Sequence, residues 1–564
     1  MNYGKFREDV TTTGFIDRQR FMLSLDAGRN PVTGAIQCRS QFDPASAVRF
    51  QNASFGDPVV NQNRLAADIA ACVPYNPFGG LDNSGAIDYF SRTFTASSGL
   101  SQFIASGFVA GDTSGFFNLP GGPVRFAIGA EYRNERAFYE QDPFVTGGYT
   151  NGVSIPSFRP KPFEVKEAYG EIQLPLLKEV PFAYELTLSG AGRVAKYQGN
   201  VGTVYSYNAG IDYAPIEDVR FRANYSRAVR APNVSETAFP LVPNFQTITD
   251  PCNPGQRGTG IRNTNCTAAL GAQLGLLTDV NQSLGIVSGS NPNLVAETSD
   301  SYTYGVVIQP RFIPGLNLSV DYYDITVDGI ITSLTAQQIL NSCYDSASLD
   351  NVFCRQFSRN LTNAPVNGDQ PGRIVTNSLI VAPLNFARRK REGIDVNLAY
   401  RTALTDDVSL NTNLIYTHNL TISNFQDSVN PDFENRLLGE LGDPKDEFRW
   451  DVDLGVGPFT FGYRMRYIGP MYLNTYEDLN ELNGLPPANI DYADVDKYPR
   501  VFYHDLRFEW DVNKSSGGPN INFYAGVDNV LDKMPPYGST ATGAGSAIYG
   551  FRGRSFYAGA RARF

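Results

Sequence analysis

The chain has 564 residues, a formal net charge of −10, a pI near 5.0 and a mean hydropathy of −0.26. This acidic balance argues against a nucleic-acid partner, because phosphate binding needs a concentrated basic surface and the sequence contains none. No segment approaches the run of about 20 apolar residues that a membrane helix requires. Any membrane crossing would therefore use β-strands.

Segments of about ten residues in which apolar and polar side chains alternate recur along the chain, as they do in transmembrane β-barrels. Four segments show the pattern most clearly, and in chain order they are Val219–Ser226, Leu316–Tyr323, Phe448–Val456 and Phe459–Tyr467. A soluble sandwich or propeller usually has shorter strands, and no internal repeat of about 20 to 50 residues is present. We predict an all-β fold, an antiparallel transmembrane β-barrel.

Short and long connections alternate between these segments. The short ones are Leu119–Pro123, Lys178–Phe182, Pro215–Asp218, Pro310–Gly315, Thr405–Asp407, Gly455–Pro458 and Asn513–Pro519. The long ones include Thr11–Gly99, Ala231–Val295, Ile331–Pro383, Met471–Arg500 and Asp532–Gly550. Outer-membrane barrels have short periplasmic turns and long extracellular loops, so this arrangement predicts about sixteen strands with the long loops outside the cell.

Alternation also assigns side chains to the two faces of the predicted barrel. Lumen-facing candidates are Arg220, Arg222, Asn224, Asp451, Asp453, Arg464, Arg466, Arg561 and Arg563. Membrane-facing and interfacial aromatic candidates are Trp450, Tyr463, Tyr467, Phe508, Trp510, Phe556 and Phe564. Arginines in the lumen would attract an anionic substrate, contact a domain that fills the lumen, or simply be hydrated and pair with acidic neighbours across strands, and the pattern leaves these readings open.

The six cysteines lie in three predicted loops, two in each. Although six cysteines allow 15 pairings, only local pairing respects this grouping, and it suits an oxidising exterior. We predict the disulfides Cys38–Cys72, Cys252–Cys266 and Cys343–Cys354. In the third loop, Thr335–Gln338 fits a capping box that opens a helix through Leu340.

Motifs of catalysis and metal binding are absent from the sequence. There is no GxSxG, HExxH, Walker loop or CxxC, and the two histidines, His418 and His504, fall in different predicted strands. We therefore expect no enzymatic activity, no catalytic residues, no metal site and no cofactor. The acidic residues of Met471–Arg500 would hold calcium, repel lipopolysaccharide or form a solvated loop, and their spacing is not that of an EF-hand.

Several segments resemble the β-barrel of TonB-dependent receptors, the active transporters of the bacterial outer membrane. They are YSRAVRAPN at Tyr225–Asn233, NPNLVAETSDSY at Asn291–Tyr302, ARRKREGIDV at Ala387–Val396, VDNVLDKMPPY at Val527–Tyr537 and the terminal Phe564. The resemblance implies an outer-membrane location and contact with membrane lipids and lipopolysaccharide. It also implies that the barrel-assembly machinery reads the last strand, with Phe564 as the assembly signal.

The resemblance also implies a function. Such a receptor binds a scarce nutrient, such as a ferric chelate, a vitamin, a saccharide or a peptide, in its outer loops for TonB-energised uptake. In the family, a short motif binds TonB, a plug domain fills the lumen and the barrel has about 22 strands. We expect residues 1–564 to form one barrel domain that lacks the signal peptide, the plug and the first strands, so that TonB would act only through a missing region. The alternative is a passive sixteen-stranded porin-like channel.

Overall fold

The computed structural model describes residues 1–47, 58–80, 82–366, 368–427, 429–492, 494–512, 520–537 and 548–563. Its main feature is one antiparallel sheet of sixteen long strands, in agreement with the predicted fold class and strand number. The strands are β1 Asn2–Ile16, β2 Ser91–Asp112, β3 Arg125–Glu140, β4 Phe163–Val180, β5 Ala183–Tyr197, β6 Thr203–Ile216, β7 Val219–Arg230, β8 Glu297–Ile308, β9 Leu316–Thr332, β10 Leu384–Ala403, β11 Val408–Phe425, β12 Asp446–Val456, β13 Phe459–Ile468, β14 Val501–Asp511, β15 Asn520–Asp528 and β16 Ser555–Arg563.

Each strand pairs antiparallel with the next strand along the chain, from β1 with β2 to β15 with β16. This up-and-down order needs only hairpin connections, which is why short turns join the strands at one end. The connection from β14 to β15 contains the predicted turn Asn513–Pro519, which lies outside the described residues.

The first outer loop is shorter than predicted. We expected a loop from Thr11 to Gly99, but β1 continues to Ile16 and β2 begins at Ser91. Thr11 lies opposite Thr95, and their hydroxyl oxygens are 2.9 Å apart. Threonine favours strands and forms such cross-strand pairs, yet its small polar side chain gives little apolar contrast, so the alternation at these strand ends was hard to read.

The long connections contain nine described α-helices, all of them short. They are α1 Arg18–Leu25, α2 Arg39–Phe42, α3 Pro58–Ala70, α4 Ser84–Phe90, α5 Pro143–Thr146, α6 Val234–Ala238, α7 Ile261–Leu270, α8 Ala336–Asp345 and α9 Tyr476–Leu479. In α8 the Thr335 hydroxyl caps the backbone N–H of Gln338, and the Gln338 side chain caps that of Thr335, so the predicted capping box is confirmed. Among the described helices, none is long and apolar enough to span a membrane.

The packed cores lie in the loops. A large core joins the loops that follow β7 and β9, a second lies in the loop after β1, and a third lies where the loop after β13 meets the last outer loop. Along the sheet, by contrast, apolar side chains are exposed, for example Phe461, Phe508 and Phe556. An exposed apolar sheet face is expected where lipid, rather than protein, covers the strands.

Aromatic rings cover glycines on neighbouring strands. The Tyr169 ring of β4 lies over Gly129 of β3, and the Tyr557 ring of β16 lies over Gly526 of β15. A Cβ at either glycine would overlap the ring. A Cβ added at Gly107 of β2, by contrast, would meet no heavy atom within 4 Å, so this glycine serves as a control position.

Candidate functional site

The polar face of β5–β9 carries a ladder of ion pairs. Arg220 donates to Glu185 at 2.6 Å, and Arg222 forms a two-pronged pair with Asp321 at 2.7 and 2.5 Å. Asn224 lies two residues further along β7 on the same face, opposite Gly210 of β6. Each arginine therefore faces a carboxylate from another strand. This geometry agrees with charge pairing across strands, one of the readings that the sequence left open.

A second ladder runs across β12–β14. Asp451 accepts from Arg464 at 2.5 Å and lies 2.9 Å from the Arg449 guanidinium, while Asp453 accepts from Arg507 at 2.9 Å. Sequence reasoning missed Arg507, although it alternates with apolar residues in β14 as Arg464 does in β13. The alternation of Val501–Asp511 was the signal that would have found it.

Three other predicted lumen residues have different surroundings. Arg466 donates to the backbone carbonyl of Ile548 at 3.1 Å and lies over the Tyr503 ring. The Arg561 guanidinium is 6.0 Å from the centre of the Tyr524 ring. Arg563 pairs with Asn520 in the strand register, and its side chain is outside the described set. Arg466 thus links the polar face to the last outer loop.

Of the cavities that open on the polar face of the described strands, two bring several carboxylates together. The larger, of about 550 Å³, is lined by Glu131, Glu167, Glu171 and Arg193 among others, and Arg193 binds Glu167. The smaller, of about 180 Å³, brings Asp451, Asp453, Arg464 and Arg507 together with Asp505 and Asp528. Carboxylates outnumber arginines in both linings. An acidic lining would repel an anionic solute rather than retain it.

The opposite face carries the predicted aromatic residues in two bands. Near the turn end, Phe459 lies beside Phe508 and Trp510, with ring centres 5.8 and 6.3 Å apart. Near the loop end, Tyr467 lies 5.0 Å from Phe448 and 4.9 Å from Phe502. Eight residues separate Phe459 from Tyr467, or about 26 Å along a strand at about 3.3 Å per residue.

Three of the remaining predicted membrane-facing residues, Trp450, Tyr463 and Phe556, lie between or beside the bands. Trp450 and Tyr463 have ring centres 6.0 Å apart, and Phe556 of β16 is 74% exposed. Phe564 lies outside the described residues. Because barrel strands tilt by about 40°, the band spacing of about 26 Å along the strand projects to about 20 Å along the membrane normal, somewhat less than the apolar height of about 25 Å in outer-membrane barrels.

All three predicted disulfides are present, each within one loop: Cys38–Cys72, Cys252–Cys266 and Cys343–Cys354. The pairing could be predicted from the sequence because the two cysteines of each pair lie in the same predicted loop. What the sequence did not indicate is that the second and third loops share one core.

We call this shared unit the double-loop cap, formed by residues 231–296 and 333–383. A hairpin of Val242–Thr249 and Asn281–Ser288 is extended by a parallel pairing with Ile380–Val381, which comes from the other loop. Side chains from both loops, including Ile286 and Leu340, are fully buried in one cluster. The two disulfides and this core make the cap a folded body rather than two independent loops.

A buried ion pair joins the two loops inside the cap. Arg359 donates to both oxygens of Asp250 at 2.7 and 2.8 Å, to the Tyr344 hydroxyl at 2.6 Å and to the Gly372 carbonyl at 2.9 Å. The side chains of Arg359 and Asp250 are 4% and 2% exposed. Burial alone would lower the pKa of Arg359, but the hydrogen bonds to Asp250 raise it above its ordinary value, so the charge is retained.

A second charged cluster anchors the loop after β1. Asp17, which is fully buried, accepts from Arg64 at 2.5 Å and from Arg92 at 3.3 Å, while Asp68 accepts from Arg20 at 2.8 Å. These residues come from both strand ends and from α1 and α3. The Arg64 guanidinium also lies 4.6 Å from the centre of the Phe144 ring in the next outer loop. The cluster therefore ties two outer loops to the rim of the sheet.

The loops after β11 and β13 meet at Glu440. Its carboxylate accepts the backbone N–H of Tyr476 at 2.7 Å. Burial, together with repulsion from Glu477, Asp443 and Asp478, raises the pKa of Glu440 to about 7. Among the described residues, no group of three or more His, Cys, Asp and Glu side chains is placed to hold a metal ion.

Comparison with known proteins agrees with this architecture. The family described as "TonB dependent receptor-like, beta-barrel" matches residues 2–530. The siderophore receptor PirA of Acinetobacter baumannii has a similar structure, with a TM-score of 0.51 and 14% identity over 83% of this chain and 58% of that one. A point mutant of the ferric enterobactin receptor PfeA of Pseudomonas aeruginosa gives a TM-score of 0.50 and 17% identity over 84% of this chain and 55% of that one.

A search of curated protein sequences gives no significant match. At these identities the two solved receptors show the shared fold only, and the chain spans less than two thirds of their length. The family match, by contrast, covers nearly the whole chain and agrees with the sixteen-stranded antiparallel sheet, its two aromatic bands and its polar face. The chain belongs to the TonB-dependent receptor β-barrel family of the bacterial outer membrane.

Proposed function

We propose that residues 1–564 serve as the barrel domain of a receptor that captures a scarce nutrient outside the cell and passes it inward in a TonB-dependent step. The observation that supports this most is the double-loop cap. Its disulfides, common core and buried ion pair hold a rigid surface above one end of the barrel, and a rigid surface loses little entropy when it binds a ligand.

The substrate class is part of this proposal. Ferric siderophores come first, because PirA and PfeA are siderophore receptors and have the same fold. The acidic lining of the two cavities on the polar face disfavours a strongly anionic chelate resting there, so we place first capture in the loops. Vitamins, saccharides and peptides remain the other classes to test. We further propose that the chain catalyses no reaction.

A binding assay tests the proposal. The full chain, folded in detergent, would be titrated with ferric catecholate and hydroxamate siderophores, cobalamin, maltooligosaccharides and short peptides. We expect saturable binding of one class, which Cys252→Ser/Cys266→Ser weakens without unfolding the barrel. An absence of saturable binding to every class, together with unselective solute flux through chain-containing vesicles, would support a passive pore and contradict the receptor function.

A further inference from the structure

Large exposed apolar side chains lie in the turns at the end of the sheet opposite the double-loop cap. Phe116, Phe182 and Phe312 are 84%, 85% and 82% exposed, and Leu404 is 56% exposed. Each belongs to a different turn, between β2 and β3, β4 and β5, β8 and β9, and β10 and β11 respectively. Four turns at one end thus leave most of the surface of a large apolar side chain exposed, which is costly in water.

The backbone of Phe182 makes its presence more unusual. Pro181 and Phe182 form the two-residue turn from β4 to β5, and Phe182 has φ 62°, in the left-handed region. Glycine and asparagine adopt this conformation with less strain than a bulky aromatic residue. Neither the backbone preference of phenylalanine nor packing within the chain therefore explains this residue at this position. A contact with something outside the chain would explain it.

The surroundings of Phe182 identify that contact. Its carbonyl accepts the Tyr213 hydroxyl at 2.6 Å. Tyr213 lies opposite Phe221, which is 49% exposed on the apolar face of the sheet. The backbone of Phe182 thus lies beside the apolar outer face, at the same end as the band of Phe459 and Trp510. Aromatic residues at this level of a membrane protein lie at the boundary between headgroups and acyl chains.

We propose that Phe116, Phe182, Phe312 and Leu404 form a lipid-contacting rim that inserts into the headgroup boundary of the periplasm-facing leaflet. The ligand is the glycerophospholipid surface itself. Insertion removes the exposed aromatic surface from water and offsets the strain at Phe182. The rim determines how deeply the turn end of the barrel is inserted in the membrane. This role depends on the membrane location of the chain and is independent of what the receptor transports.

Tryptophan fluorescence in vesicles of phosphatidylethanolamine and phosphatidylglycerol tests the rim. The two native tryptophans are first replaced, Trp450→Phe and Trp510→Phe, and single tryptophans are then placed at rim positions by Phe116→Trp, Phe182→Trp and Phe312→Trp. The matched control is Thr33→Trp, at an exposed position of the loop after β1, at the opposite end of the sheet. A variant that retains only Trp450 reports whether the chain has inserted.

We expect the rim tryptophans to emit at shorter wavelength than the Thr33→Trp control and to lose intensity with phospholipids brominated near the headgroup. The control should instead be quenched by aqueous iodide. If Trp450 reports insertion while all three rim tryptophans behave like the control, the rim is aqueous in a lipid-only membrane and the proposal is wrong. That outcome would leave a periplasmic protein as the partner of these turns. Three positions guard against the misfolding of any one variant.

Discussion

Breaking the buried pair of the double-loop cap should loosen the cap without unfolding the barrel. Arg359→Met leaves Asp250 buried, charged and without its partner, and it removes the donors to Tyr344 and Gly372. Removing one partner of a buried pair costs about 3 to 5 kcal/mol. Because about 1.4 kcal/mol is a tenfold change in an equilibrium, the cap should open more than about 100-fold more often.

The same loop contains a matched control. Arg355 and Asp350 also form an ion pair, at 2.6 Å, but their side chains are 70% and 82% exposed. Exposed pairs contribute about 1 kcal/mol or less, so Arg355→Met should change cap opening by about fivefold at most. The two substitutions remove the same charge from neighbouring positions and differ in burial.

Hydrogen exchange read by mass spectrometry measures cap opening directly. In Arg359→Met, the amides of α8 and of the hairpin Val242–Thr249 should exchange faster, while those of β10–β13 keep their protection. Adding Asp250→Asn to Arg359→Met should recover part of the lost protection, because the uncompensated charge is gone. If Arg359→Met and Arg355→Met give the same exchange, or if the double variant recovers nothing, a buried charge pair does not hold the cap together.

Three further predictions concern the loops and the sheet. Cys343→Ser with Cys354→Ser should destabilise the cap by about 3 kcal/mol, judged from the short loop it closes, with no change in barrel melting followed by heat-dependent gel migration. The folded protein raises the pKa of Glu440 to about 7 from an ordinary value of 4.5. The contribution of this group to the free energy of unfolding is therefore lost as the pH rises from about 4.5 to about 7. Glu440→Gln should therefore slow exchange in its loop at pH 8 and leave it unchanged at pH 4.5, and the reverse order would contradict the assignment. Gly129→Ala should lower the yield of folded barrel because the new methyl overlaps a tyrosine ring, whereas Gly107→Ala in the neighbouring strand should fold normally.

Features that depend on local order along the chain could be predicted from the sequence. The alternation of Phe459–Tyr467 indicates a strand with two unlike faces, and the grouping of Cys343 with Cys354 indicates a local disulfide, because both patterns lie within a short window. The capping box at Thr335 belongs to the same class. Strand number and turn positions follow from repeating this reasoning along the chain.

The cap and the ion pairs could not be predicted in the same way. Asp250 and Arg359 are 109 residues apart and meet only because the hairpin of one loop pairs with Ile380–Val381 of the other. No local pattern indicates that two loops share one core. Likewise, the partners of Arg222 depend on strand register, which places Asp321 two strands away on the same face. The left-handed backbone conformation of Phe182 could not be predicted either, because bulky aromatic residues rarely adopt it.

The central claim is that β13 alternates between lipid and water. All six native cysteines form disulfides, so single cysteines placed at positions 460–467 supply the only free thiols for a spin label. In vesicles, labels at 461, 463, 465 and 467 should be relaxed by oxygen dissolved in lipid, and labels at 460, 462, 464 and 466 by a water-soluble nickel complex. Equal access to water at both sets of positions would contradict a membrane barrel and return the chain to the soluble β-folds.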